Sequence, residues 1–230
     1  MISYKPMSDK PSVRSPWFWV PSLYFAQGIP YVAVMIVSVL MYKRLGVSNT
    51  DIALYTSWLN LPWVIKPFWS PFVDLLKTKR WWVATMQLLI GAGLAGVAFT
   101  IPTTFFFQAS LAVFWLLAFS SATHDIAADG FYMLALGSHG QAFFVGIRST
   151  FYRIAIIAGQ GVLVMFAGFL ENSTGNIPLA WSVTFFILGG LFLALFLYHR
   201  YILPLPKGDK PSATVTPSTI LKEFFATLNW

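Results

Sequence analysis

The sequence predicts an all-α membrane protein, a bundle of six transmembrane helices, and three observations predict it. Apolar residues make up 57% of the 230 residues and charged residues only 10%, against about 45–50% and about 25% in an ordinary soluble domain. Six separate segments reach the roughly 20 apolar residues that a helix needs to cross hydrocarbon. The basic residues gather in alternate loops, as they do when charge sets membrane orientation.

The spans follow in order. Residues 17–42 carry no charge, and residues 52–73 carry Lys66 alone. Residues 81–101 carry none and end at the turn signal Pro102-Thr103-Thr104. Residues 105–136 hold His124, Asp125 and Asp129, residues 142–170 hold Arg148 and Arg153, and residues 178–198 hold no charge. Short connections make neighbours antiparallel. Ahead of the spans lies a polar segment, residues 1–16. After residue 203 the tail, 204–230, turns to Pro, Gly, Ser and Thr and reads as a linker. It ends in an amphipathic stretch that Ser218 could cap, with Ile220, Leu221, Phe224, Phe225 and Leu228 on one face. We expect the chain to be the first half of something longer.

Lys5, Lys10, Arg14, Lys77, Lys79, Arg80, Arg200, Lys207, Lys210 and Lys222 fall on one side, and only Lys43 and Arg44 on the other. That asymmetry predicts cytoplasmic termini. It also accounts for the net charge of +7 without a nucleic-acid partner. Trp17, Trp19, Trp69, Trp81, Trp82 and Trp181 lie near span ends and read as interfacial anchors. With no cysteine, disulfide frameworks, cysteine zinc sites and thiol catalysis are excluded. Gly91-Ala92-Gly93-Leu94-Ala95-Gly96 matches a dinucleotide fingerprint, but no strand precedes it. Small residues at that spacing bring helices together. Neither a cofactor nor a metal is expected. His139 and His199 read as loop residues without partners.

Charges in the bilayer are costly, about 2.5–3.5 kcal/mol each at the centre on insertion scales, so they face an interior or a wet cavity and pair. If the fourth and fifth spans form a hairpin turning near residue 139, Asp125 matches Arg153 in depth and Asp129 matches Arg148. Asp129 then sits roughly 10 Å and Asp125 roughly 16 Å below the surface. Arg148 and Arg153 are five apart, about 140° round the helix, so both pairs close only if an arginine reaches around. Two readings stand: static bridges, or pairs that exchange during transport. Gln27 and Lys66 match in depth across the first hairpin, although Lys66 could also snorkel to the interface. Gln27-Gly28-Ile29-Pro30 is expected to interrupt the first helix. An intramembrane enzyme built on His124 and Asp125 would need a catalytic constellation, and none accompanies them.

Four motifs in order carry a resemblance: Phe25-Ala26-Gln27-Gly28-Ile29-Pro30-Tyr31, Leu61-Pro62-Trp63-Val64-Ile65-Lys66-Pro67, Ala122-Thr123-His124-Asp125-Ile126-Ala127-Ala128-Asp129-Gly130 and Gly146-Ile147-Arg148-Ser149-Thr150-Phe151-Tyr152-Arg153. They resemble AmpG-type permeases, the branch with muropeptide importers and acetyl-CoA transporters. The loop from Pro71 through Asp74 to Arg80 is similar to the loop motif of the major facilitator superfamily, without the glycine usual there. The resemblance implies one half of that superfamily's twelve-helix fold. It further implies proton-coupled import of anhydro-muropeptides across a bacterial inner membrane for cell-wall recycling, with acetyl-CoA or another anionic metabolite as the alternative substrate. A regulatory half that needs a partner is the alternative role. On this reading Asp125 and Asp129, the only acids at depth, couple protons. Gln27, Tyr31, Lys66, Arg148, Tyr152 and Arg153 bind the sugar-peptide, and Asp74, Lys77 and Arg80 form a conformational gate. Protons, the lipid bilayer and a C-terminal six-helix half are the expected partners.

Overall fold

The computed structural model describes residues 14–211; the amphipathic stretch expected over 218–230 and most of the segment 1–16 lie outside the described residues. Within them the chain is helical from end to end. Five helices are long and apolar enough to cross a membrane: α1 (Pro16–Arg44), then Lys79–Thr100, Phe106–Ala135, Ser138–Thr174 and Ile177–Ile202. Between the first two runs a broken series, α2 (Asn49–Thr56), α3 (Leu61–Ile65) and α4 (Ser70–Leu76), joined by 3₁₀ turns over Ser57–Asn60 and Lys66–Phe68. The long helices that follow are α5 (Lys79–Thr100), α6 (Phe106–Ala135), α7 (Ser138–Thr174) and α8 (Ile177–Ile202). The chain is a membrane protein; the expected second span, residues 52–73, falls on this interrupted run, which is not among the five helices long and apolar enough to cross. Pro62, Pro67 and Pro71 each remove a backbone donor and restart the helix.

Caps sit where the sequence supplies them. Ser48 Oγ accepts from Asp51 N at 3.1 Å, Thr78 Oγ1 from Trp81 N at 3.1 Å and Asn176 Oδ1 from Leu179 N at 3.0 Å. Gly175 ends α7 with φ +66, a left-handed backbone that glycine adopts without strain. Gln141 turns back over the α6–α7 corner, donating to the carbonyls of Met133 (3.0 Å) and Leu136 (2.8 Å).

Packing departs from the order of the chain. α5 packs between α6 and α8, the run α2–α4 lies along α6, and α1 inserts between α6 and α7. Among the described residues α7 packs far more on α1 and α8 than on α6, its neighbour in sequence. The approach of α1 to α7 depends on small residues. A Cβ at Gly28 would meet Ala155 Cβ at 2.7 Å and the Tyr152 carbonyl at 2.8 Å, and one at Gly159 would meet Val32 at 2.2 Å. The expected interruption at Gln27–Pro30 is therefore displaced. The α-helix continues through Pro30 to Val32 and widens into a π-helical turn over Ala33–Val37, opposite a second such turn over Gly159–Leu163. Gly28 serves close contact instead of a hinge. Gly91 and Gly189 do the same for α5 and α8, where a Cβ at Gly189 would lie 3.0 Å from the Gly91 carbonyl.

The apolar core forms two clusters. One gathers Met41, Tyr42, Ile101, Phe114, Trp181 and Phe185; the other Trp19, Tyr24, Val83, Phe131, Leu136 and Leu203. Trp19 and Trp181 are thus core residues, not the interfacial anchors expected. Trp19 stacks edge-on to Phe131 at 5.3 Å, and the Trp181 indole donates to Glu171 at 2.7 Å. Between the clusters the chain places several of its buried polar residues, Gln27, Gln87, Ser121, His124 and Asp125.

Gly28→Ala should destabilise the fold by about 1–3 kcal/mol through overpacking at the α1–α7 contact. Gly146→Ala, inside a helix where a Cβ meets nothing within 4 Å, should instead stabilise it by up to about 1 kcal/mol. Thermal unfolding in detergent distinguishes the two.

Candidate functional site

A cleft of about 400 Å³ opens between α1 and α7, lined by Tyr24, Gln27, Arg148, Ser149, Tyr152 and Arg153. α1 contributes Tyr24 and Gln27, about one turn apart on one face. α7 contributes the arginines and Tyr152. Behind them α6 presents Asp125 and Asp129, four residues apart on one stripe.

Asp129 and Arg148 form an ion pair at 3.6 Å, both side chains about one-third exposed. Tyr24 bridges it. Its hydroxyl donates to Asp129 Oδ1 at 3.0 Å and accepts from Arg148 Nη1 at 3.2 Å. The guanidinium also lies over the rings of Tyr24 (4.9 Å) and Tyr132 (5.2 Å), a cation–π arrangement that holds its charge without neutralising it.

Asp125 is held differently. It is buried, and Trp63 Nε1 donates to its Oδ2 at 3.1 Å. Gln27 and the Lys66 ammonium stand near the same carboxylate. Asp125 Oδ1 and Gln27 Oε1 are both buried without a donor among the described residues. Tyr31 packs edge-on against Trp63 at 5.2 Å, and Tyr152 stands near both Tyr31 and Asp125. The depth-matched pair of Asp125 with Arg153 does not form: among the described residues no ion pair joins them, and Arg153 is exposed at the rim of the cleft. The hairpin arithmetic assumed that α6 and α7 touch. With α1 between them, Arg148 reaches Asp129 past Tyr24, whereas Arg153, turned about 140° further, does not reach α6.

At the basic end of the bundle Asp74 pairs with Lys79, not with Lys77 or Arg80. Lys77 lies 5.9 Å from the Trp81 ring, and Arg80 donates to the Arg200 carbonyl. The three expected gate residues are near one another, but the partner of Asp74 was missed. Lys79 is buried against α6, its stem packed where a Cβ at Gly130 would intrude.

Three further polar residues, His199, Gln87 and Glu171, escaped sequence reasoning. His199 is not a loop residue. It is buried in α8, where the Gln87 amide lies 2.8 Å from Nδ1 and Ser22 Oγ 2.9 Å from Nε2. Gln87 Nε2 also reaches His124 Nε2 at 3.1 Å, so one amide joins α5, α6 and α8. His124 thus faces away from its neighbour Asp125, and the two form no acid–base couple. Glu171 joins Asp125 as a buried acid among the described residues. It takes a forked contact from Arg44, with Arg44 Nε 2.9 Å from Oε2, and the Trp181 indole. Each carried one available signal, a hydrogen-bonding side chain in or beside an apolar run.

Residues 25–215 match the BT1 family, a stretch that holds every cleft residue except Tyr24. The chain belongs to the BT1 family. Among relatives of this BT1 chain, AmpG 4 of Rickettsia conorii, named as a transporter, is 28% identical over 181 residues, 74% of this chain and 41% of that protein. The anhydromuropeptide permease of Escherichia coli is 27% identical over 153 residues, 63% of this chain and 30% of that protein. An uncharacterized protein of Schizosaccharomyces pombe is 30% identical over 118 residues, 47% of this chain and 22% of that protein. The BT1 chain spans less than half the length of each.

Gln87→Leu should leave His124 Nε2 and His199 Nδ1 without partners while His199 keeps Ser22, at about 1–3 kcal/mol for each unsatisfied group. A clear fall in the thermal midpoint in detergent is expected, whereas Gln108→Leu, at an exposed position, should leave it unchanged.

Proposed function

We propose that this chain is the acid- and arginine-bearing half of a proton-coupled secondary transporter that imports anhydro-muropeptides, N-acetylglucosamine–anhydro-N-acetylmuramyl species, for cell-wall recycling. The observation that carries the reading is the α1–α7 cleft. Gln27, Arg148, Tyr152 and Arg153 line it, and Asp125 and Asp129 stand behind it. A muropeptide offers carboxylates and many hydroxyls. Arginine forks suit the first, and amide and phenol groups the second. Gln27, Tyr31 and Tyr152 bind sugar hydroxyls in this reading, and Arg148, Arg153 and Lys66 bind carboxylate.

Proton coupling follows from the pairing. Protonating Asp129 removes the negative partner of Arg148 and frees the guanidinium for an anionic substrate; losing the substrate restores the pair. Asp125, closer to the bundle's centre and ringed by Trp63, Gln27 and Lys66, is the second coupling acid. Asp74, Lys77 and Arg80 act as the gate at the basic end, through the Asp74–Lys79 pair and the hold of Arg80 on α8. The excess of Lys and Arg at that end supports cytoplasmic termini in a bacterial inner membrane. The permease and transporter names of the bacterial relatives support transport over catalysis, and their greater length supports a second six-helix half that completes the cavity. The cationic cleft suits phosphate as well as carboxylate, so acetyl-CoA, anionic through its phosphates, or another anionic metabolite is the second reading.

Asp129→Asn and Asp125→Asn should each abolish uptake of labelled anhydro-muropeptide into vesicles with an imposed pH gradient, with the protein still present in the membrane. Normal uptake in both variants would remove the coupling role. Stronger competition by acetyl-CoA than by unlabelled muropeptide would move the substrate to the second reading.

A further inference from the structure

A separate cleft of about 440 Å³ lies at the basic end, between the first turns of α5 and the end of α8. Thr78, Arg80, Trp81 and Thr85 line one wall, Arg200 the other, and Asp209 from the segment after α8 closes it. Like charges are crowded there: Arg14 and Arg200 both act on the Arg80 guanidinium. Three cations at one site repel unless an anion joins them. Among the lining residues the acid is Asp209, whose charge also acts on Arg80; three cations against one carboxylate leave the site net positive. Asp209 accepts from the backbone N–H of Lys79 at 2.5 Å and of Arg80 at 3.0 Å, so it caps α5. Arg80 spends one amino group on the Arg200 carbonyl, while its Nε is buried without an acceptor. The Arg200 side chain is exposed and forms no ion pair among the described residues.

We infer that this cleft is a binding site for a phosphate group, carried by the headgroup of an anionic phospholipid or free in solution. The chemistry fits on three counts. Two guanidinium forks match the paired oxygens of a phosphate. Thr78 and Thr85 add hydroxyl donors for the remaining oxygens. The cleft also lies at the end of two spans beside the half-exposed Trp81, the level at which lipid phosphates sit, and basic pockets between helices at that level bind anionic headgroups. The site is distinct from the α1–α7 cleft and stands whether or not the chain carries a muropeptide.

Native mass spectrometry of the purified full chain, with phosphatidylglycerol and phosphatidylcholine added in equal amounts, tests it. The wild type should retain phosphatidylglycerol preferentially. Arg200→Gln should lower that preference about tenfold, the effect of one lost charge-assisted hydrogen bond. Thr85→Val, which alters no charge, should lower it by a smaller factor and serves if Arg200→Gln does not fold. Lys207→Gln, at the same end but outside the cleft, should leave the preference intact. Inorganic phosphate separates the sources. Displacement of the lipid would assign the site to the phosphate group itself, and retention would assign it to the lipid. Equal retention of the two lipids by the wild type, or an undiminished preference in both Arg200→Gln and Thr85→Val, would overturn the inference.

Discussion

The close approach of α1 to α7 is the constraint on which the remaining geometry depends. Lipid tails are as apolar as leucine, so helices in a membrane associate through tight packing and hydrogen bonds instead of hydrophobic burial. Gly28, Ala155 and Gly159 let the two backbones meet. α1 is accordingly the most buried long helix, with 67% of its most apolar stretch inside the bundle, and α7 the least, with 22%. Only because α1 lies between α6 and α7 does Tyr24 stand between Asp129 and Arg148. Only because α7 leans on α1 do its arginines border a cleft. The paired π-helical turns at 33–37 and 159–163 fit the same contact, since an added residue per turn re-aims the side chains on either side of a tight crossing.

The polar layer between the two apolar clusters is divided into a sealed part and an open part. Gln87, His124 and His199 are fully buried, with no exposed surface; their hydrogen bonds go to one another and to Ser22, and His124 Nδ1 has no partner among the described residues. Such a network specifies which helices meet, at the cost of one buried ring nitrogen left unpaired. Gln27 and Asp125, at the same level, border the cleft and keep oxygen atoms without donors. The same residue types therefore hold the bundle together on the α5 side and remain available on the α1 side.

The fold class and most of the cleft were legible because the membrane makes every polar residue in an apolar run conspicuous. Asp129 and Arg148 could be matched by depth alone, and Gln27 and Lys66 both prove to stand near Asp125. What could not be read was lateral order. Depth arithmetic gives height along the membrane normal and nothing about which helix is beside which, so it paired Asp125 with Arg153 across a helix that stands between them. The same blindness hid Gln87: an amide in an otherwise apolar span signals a partner, but its partners on α6 and α8 emerge only from packing. His199 was lost to a boundary, since α8 runs to Ile202, past the expected end at residue 198. Glu171 was lost because its burial comes from α1 and α8 folding over the end of α7, which no local pattern records.

Two ion pairs in the bundle show why one suits a switch and the other does not. Glu171 is almost fully buried and is engaged from α1 by the Arg44 fork and from α8 by the Trp181 indole. Opening that pair would leave a carboxylate in a low-dielectric pocket, so it stays closed and ties α1, α7 and α8 at the end away from the basic loops. Asp129 and Arg148 are each about one-third exposed and 3.6 Å apart, where an ion pair contributes about 0–1 kcal/mol. If that pair parts, neither member is stranded. The Tyr24 hydroxyl remains against the carboxylate, and the rings of Tyr24 and Tyr132 remain under the guanidinium. A pair that must exchange its partner during a cycle has to be weak in its closed state and supported in its open state, and of these two only Asp129–Arg148 meets both conditions.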